Sequence, residues 1–191
     1  MNQESHGGNG DVWVADGYGS SYIHKYDKDG GYILSINGSD SDYGPFNCPH
    51  GVWIDTRKTD HELYVADRHN GCIQVYDLDG IFKRSFGHEL GKSWLHSPSA
   101  FASYRNVLFV VELRGSRVSI LDEEDNLVGY LGENSGAFAL IDGWPNVDKK
   151  DIYEGKFNSP HGIAVDSEGN LYVAEWLIGG RIVKLKLKAD L

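Results

Sequence analysis

At 191 residues, 40% hydrophobic and 24% charged, the chain has the composition of a globular domain long enough to bury a core. Its formal net charge of −10 argues against a nucleic-acid partner, which needs a basic face for phosphates, and against an anionic membrane surface. The 24 glycines, 12% aromatic content and single methionine point to a turn-rich β protein rather than a helical bundle.

In chain order, the first β-forming runs are Asp11-Val12-Trp13-Val14-Ala15-Asp16, Tyr22-Ile23-His24-Lys25-Tyr26-Asp27 and residues 30–36. A second group covers residues 51–55, 62–67, 72–77 and 81–86. A third covers 100–104, 107–112, 117–122 and 127–131, and a fourth 163–166, 170–175 and 181–186. Alternation such as Ile73-Gln74-Val75-Tyr76 has the period of two of half-buried strands, and no stretch sustains a helical period. Turn residues separate the runs: Asp29-Gly30, Asp79-Gly80, Asp125-Asn126 and Glu168-Gly169-Asn170. Acidic residues end corresponding runs at Asp16, Asp67, Glu112 and Glu175, spaced 51, 45 and 63 residues apart. That period predicts an all-β chain of the β-propeller class, with about four blades in one domain over residues 1–191. The widest spacing comes from an insert at 133–156, carrying Gly143-Trp144-Pro145-Asn146, which reads as a long surface loop.

The first group lacks an opening run, because residues 1–10 are polar and glycine-rich. Strand and turn chemistry of this kind suits a six-bladed ring. The expectation is therefore a partial propeller with two blades upstream of Met1. No signal peptide and no bilayer-spanning stretch of about 18 apolar residues is visible, and localisation is not legible.

Two groups open on the same phrase, Cys48-Pro49-His50-Gly51-Val52 and Ser159-Pro160-His161-Gly162-Ile163, whereas the third opens on Ser97-Pro98-Ser99. A histidine that skips one repeat and returns is hard to ascribe to packing. Imidazoles on alternate blades suit metal ligation, since catalytic zinc takes three protein ligands and leaves one position open. Ligation needs neutral imidazole and should fade below about pH 6. The other reading makes Pro-His-Gly a turn whose histidine caps a carbonyl. Cys48 and Cys72 are expected as free, half-buried thiols. His6, His24, His61, His69, His88 and His96 are expected in loops, turns or solvent-facing positions, and Trp13, Trp53 and Trp176 in the core between blades. The repeated acids are expected to cap turn amides, with structural calcium as the alternative.

The run Leu63-Tyr64-Val65-Ala66-Asp67-Arg68-His69-Asn70-Gly71-Cys72-Ile73-Gln74-Val75 resembles an NHL-type repeat, and more narrowly a blade of peptidyl-α-hydroxyglycine α-amidating lyase. Val14-Ala15-Asp16-Gly17-Tyr18-Gly19-Ser20-Ser21, Gly44-Pro45-Phe46-Asn47-Cys48-Pro49-His50 and Phe157-Asn158-Ser159-Pro160-His161 extend the resemblance over most of the chain. It implies a six-bladed propeller with zinc held by three histidines. His50 and His161 match two of them, and the third would lie upstream of Met1. It implies Tyr18 as catalytic base and Arg68 as a substrate-positioning cation, each with a plainer reading as a packing aromatic or a surface ion pair with Asp67 or Asp16. Gly162 stands where that family has an acidic residue, and the family's animal disulfide cysteines are not matched.

The leading expectation is a zinc-dependent, lyase-like propeller acting on a small hydroxylated amide or peptide, weak or inactive if the stretch lacks a ligand. A non-catalytic NHL propeller that binds a protein or small ligand is the alternative, and an incomplete ring could self-associate.

Overall fold

Runs of β-branched and aromatic residues form strands throughout the computed structural model, which describes residues 7–89, 92–137 and 147–188. The first sheet holds β1 (Val12–Asp16), β2 (Tyr22–Tyr26) and β3 (Tyr32–Ile36). The second holds β4 (Pro49–Asp55), β5 (Glu62–Asp67), β6 (Cys72–Tyr76) and β7 (Phe82–Phe86). A two-residue ladder, β8 (His88–Glu89) with β9 (Lys92–Ser93), follows. The third sheet holds β10 (Pro98–Tyr104), β11 (Val107–Glu112), β12 (Arg117–Leu121) and β13 (Leu127–Leu131). The fourth holds β14 (Pro160–Val165), β15 (Leu171–Glu175) and β16 (Arg181–Leu185).

All four main sheets are antiparallel meanders in sequence order, so the predicted repeats are the sheets. The first and fourth have three strands, the second and third four. Opening strands begin earlier than composition suggested, because β4, β10 and β14 start at the prolines of the repeated phrase. Proline lacks an N–H and is tolerated as the first residue of a strand. Among the described residues the one helical turn is a 3₁₀ segment, Lys149–Asp151, and no helix is long and apolar enough to cross a membrane.

The chain divides into two units, Met1–Pro98 and Ser99–Leu191. In the first, Trp13, Ile23, Phe46, Leu63, Val65 and Tyr76 form a buried cluster, with Ala15, Leu34, Ile36, Val52 and Ile54 packed on it. In the second, Val111, Val118, Phe157 and Val173 form the cluster, with Phe109, Leu131, Ile163 and Val183 around it. Each fully buried side chain of this size contributes about 1.5–3 kcal/mol. Within each unit one contact recurs: β1 lies against β4, and β11 against β14. An acid-tipped strand of one sheet therefore borders the proline-led strand of the next.

An aspartate organises one turn in each repeat. Asp27 Oδ1 accepts from the amides of Asp29 and Gly31, Asp77 Oδ1 from Asp79 and Ile81, Asp122 Oδ1 from Glu124 and Asn126, and Asp166 Oδ1 from Glu168 and Asn170. The aspartate thus replaces backbone partners that the reversing chain cannot supply. Gly30, Gly80 and Gly169 take the left-handed conformation these turns need, at φ +88°, +85° and +85°.

The described margins of the insert are tied down. Arg117 Nη1 reaches Glu133 Oε1 at 2.8 Å, Lys156 Nζ donates to Glu133 O, and Arg181 donates to the carbonyls of Lys156 and Tyr153. The phrase Gly143-Trp144-Pro145-Asn146 and His6 lie outside the described residues.

Several placements correct the sequence reading. Trp13 is core, but Trp53 is half-buried and Trp176 is 44% exposed, just past the end of β15. Cys48 and Cys72 are fully buried rather than half-buried. His88 lies in β8 and meets the ring of Tyr43 edge-on at 4.5 Å, so it is not a loop residue.

Candidate functional site

The two Pro-His phrases fold alike. In the second sheet Pro49 pairs with Asp67 and Gly51 with Ala66, leaving His50 as the extra residue of a β-bulge. In the fourth, Pro160 pairs with Glu175 and Gly162 with Ala174, which leaves His161 as the bulged residue. A bulge takes one residue out of the alternation and re-aims its side chain. Both histidines are half-buried.

The acid facing each proline fixes the loop that leads to the histidine. Asp67 Oδ1 accepts from the Asn47 amide at 2.8 Å, and Glu175 Oε1 accepts from the amides of Asn158 and Ser159. The residue after each acid closes the same arrangement: Arg68 N donates to Cys48 O at 3.3 Å, and Trp176 N to Ser159 O at 2.8 Å. Cys48 thereby holds φ +59°, a conformation that costs a non-glycine residue about 1–3 kcal/mol when unsupported.

Asp16, Asp67 and Glu175 cap backbone amides, as the sequence suggested, whereas the described bonds of Glu112 go to side chains. Asp16 accepts from the Ser20 amide. Asp67 also accepts from Asn70 Nδ2 and Gln74 Nε2. Glu112 binds Arg117 and Ser119, and Glu175 pairs with Arg181 at 3.0 Å. In the strand ladder Arg117 faces Glu112 and Arg181 faces Glu175, whereas Cys72 faces Asp67. Asp67 is thus held by amide donors, and burial pushes its carboxyl up to about 6 against the pull of Asn47, Asn70 and Gln74. Burial likewise pushes up the Cys48 thiol, with Asp67 adding to the rise and Arg68 opposing it. The fully buried Gln74 is a site-supporting residue the sequence reading passed over. Its signal was a lone amide side chain on the otherwise apolar strand β6.

Three of the sequence-predicted residues meet in the first unit. Tyr18 follows β1, His50 lies on β4 and Arg68 follows β5. Arg68 Nη1 donates to Tyr18 Oη at 2.9 Å, so its guanidinium goes to the phenol rather than to Asp67 or Asp16. The Tyr18 and His50 rings meet edge-on, centroids 5.9 Å apart at 85°. Tyr18 is 78% exposed and Arg68 is buried, so the cation is fixed and the phenol open to solvent. Gly17 makes the approach of β1 to β4 feasible, because a β-carbon there would overlap the Pro49 carbonyl oxygen. His161 lies in the second unit, where the Trp176 ring meets it edge-on, centroids 5.4 Å apart at 71°.

An NHL repeat matches residues 157–176, the segment from Phe157 through His161 to Trp176. The chain carries an NHL repeat in a β-propeller fold. It is similar to peptidyl-alpha-hydroxyglycine alpha-amidating lyase 1 of Drosophila melanogaster, 29% identical over 178 residues that cover 87% of this chain and 31% of that protein. It is also similar to NHL repeat-containing protein 3 of Homo sapiens, 33% identical over 135 residues, covering 66% of this chain and 35% of that one. Among solved structures, a streptogramin B lyase superposes with a TM-score of 0.58 at 16% identity, over 95% of this chain and 53% of that one. The virginiamycin B lyase of Staphylococcus aureus with quinupristin gives 0.57 at 15% identity, over 95% and 54%. These two likenesses establish the fold alone. The chain spans about a third of the fly lyase and about half of the solved lyases.

The donor chemistry of the bulged histidines suits zinc, which takes neutral imidazole. Among the described residues, however, no group of three His, Cys, Asp or Glu side chains is placed to hold a metal ion.

Proposed function

We propose that this chain forms part of a zinc-dependent, lyase-like propeller that cleaves a small hydroxylated amide or peptide, with His50 and His161 as imidazole donors. The observation that carries this reading is the cluster of Tyr18, Arg68 and His50, drawn from the loops after β1 and β5 and from the bulge of β4. When bound, zinc would supply a Lewis acid for a substrate oxygen. The chain's own residues supply the proton chemistry. Tyr18 Oη takes the proton of the substrate hydroxyl, and the Arg68 N–H on that oxygen orients the phenol for the transfer. As the carbon–nitrogen bond breaks, its electron pair stays with nitrogen and the proton returns from Oη. A carbinolamide would thus give an amide and an aldehyde.

The similarity to named amidating lyases supports the reaction class. The non-catalytic NHL scaffold is the competing reading, and the lack of a three-ligand group among the described residues favours it. The two separate on metal content by plasma mass spectrometry, reading zinc and calcium, for the wild type and a His50→Ala, His161→Ala double variant. Zinc bound by the wild type and lost in the variant is the result expected, and it would justify assaying aldehyde release from a hydroxyglycine-extended peptide. Equal metal in both proteins, or none in either, would overturn the lyase reading.

A further inference from the structure

Trp176 carries the inference that reaches furthest. By repeat position it is the counterpart of Arg68. Each follows the acid that caps its histidine loop, and each donates its amide to the carbonyl preceding the Pro-His phrase. The amide-to-carbonyl bond and the bulge are shared and the side chain is not: where the second sheet offers a guanidinium beside its histidine, the fourth offers an indole. Trp176 exposes 44% of its surface although it is the largest side chain in its hairpin. Its backbone is pinned at 2.8 Å to Ser159 O, the next residue, Leu177, is buried, and its ring rests edge-on against His161. Ile178, 69% exposed, extends the apolar surface before Gly179 and Gly180 turn the chain into β16. An exposed indole held this firmly presents a rigid π-face at little entropic cost to a bound group.

We propose that Trp176 is a specificity-determining residue, offering a stacking surface beside His161 to an apolar or aromatic group of the substrate. The inference rests on the lyase-like reading for the kind of molecule bound, an amide or peptide, but not for turnover.

The test is therefore one of binding. N-acetylphenylalaninamide and N-acetylserinamide, both product-like amides, are titrated into the purified protein by NMR. The wild type is compared with Trp176→Ala, with Trp176→Phe, and with Trp176→Gln as a bulk-retaining substitute should the alanine variant fail to fold. A stacking contact predicts a preference of about tenfold for the phenylalanine amide in the wild type. That preference should be lost in Trp176→Ala and Trp176→Gln and largely kept in Trp176→Phe, with serine-amide binding unchanged. An alanine or glutamine variant that keeps the preference, or a wild type that binds neither amide, overturns the proposal. Tryptophan-dependent preference in a protein that binds no zinc would uphold this inference while sinking the lyase reading.

Discussion

Arg68 Nη1 donates to Tyr18 Oη at 2.9 Å, linking the loop after β5 to the loop after β1 across 50 positions of sequence. Because Tyr18 is 78% exposed, its phenol adds little to folding. Tyr18→Phe is therefore expected to melt within about 2 °C of the wild type, since surface substitutions fall within about 0.5 kcal/mol. Turnover should fall about 10²–10⁴-fold, the usual worth of a positioned acid or base. A Tyr18→Phe variant that turns over at the wild-type rate would remove Tyr18 from the chemistry.

Gly17 gives a prediction of opposite kind. A β-carbon at this position would overlap the Pro49 carbonyl oxygen, which is backbone and cannot swing aside. Gly17→Ala should cost about 1–3 kcal/mol, typical of forced overpacking, and should shift Tyr18 away from His50. Thermal melts read the first effect. A change in the ring-current shifts of the Tyr18 and His50 ring protons reads the second.

Two carboxylates impose opposite pH dependence. Although burial works to raise it, Glu62 is held at about 2 by hydrogen bonds from Arg84 and Lys83. Its contribution to stability is present above the unfolded value of 4.5 and is lost as pH falls toward about 2. Asp67, raised by burial to about 6, contributes below its unfolded value of 3.8 and loses that contribution as pH rises through about 6. Melting curves should therefore show wild type losing its advantage over Glu62→Gln as pH falls from 5 to 2.5. They should show wild type losing ground to Asp67→Asn as pH rises from 5 to 7.5. Parallel curves for either pair would contradict the placement of that carboxyl.

Both thiols are buried, Cys48 at 5% and Cys72 at 0% exposure. Burial also works against their ionisation, and the thiolate is the reactive form. Native protein should react with a thiol-specific disulfide reagent only as fast as it opens. Two thiols per chain should appear at once in denaturant. Prompt labelling of either cysteine in native protein would contradict the burial described for Cys48 and Cys72.

Much of this architecture was legible before any coordinates, for identifiable reasons. Strand periodicity and Asx turns are local, so the sheets and the turns at Asp27, Asp77, Asp122 and Asp166 could be read from neighbouring residues. The capping role of Asp67 and Glu175 followed from their recurrence at strand ends. What escaped was non-local or subtracted from the pattern. Strand alternation placed Trp176 in the core, yet it falls one residue beyond β15, where the alternation no longer binds. The bulges at His50 and His161 depend on a mismatch between two strands, which neither strand reveals by itself. Gln74 looks like a solvent-facing member of β6 until Asp67, Tyr76 and the Gly44 carbonyl surround it.

The bulges also bear on how such a chain can change over time. A residue outside the ladder can be exchanged without disturbing the inward–outward order of the strand around it. The histidine at this position is thus separable from the blade that carries it. The third sheet fits that view: β10 has the seven-residue length of β4 and opens on the same proline, yet carries Ser99 where β4 carries His50. Side chains at this position can be gained or dropped one repeat at a time by single substitutions, while the cores of the sheets stay as they are.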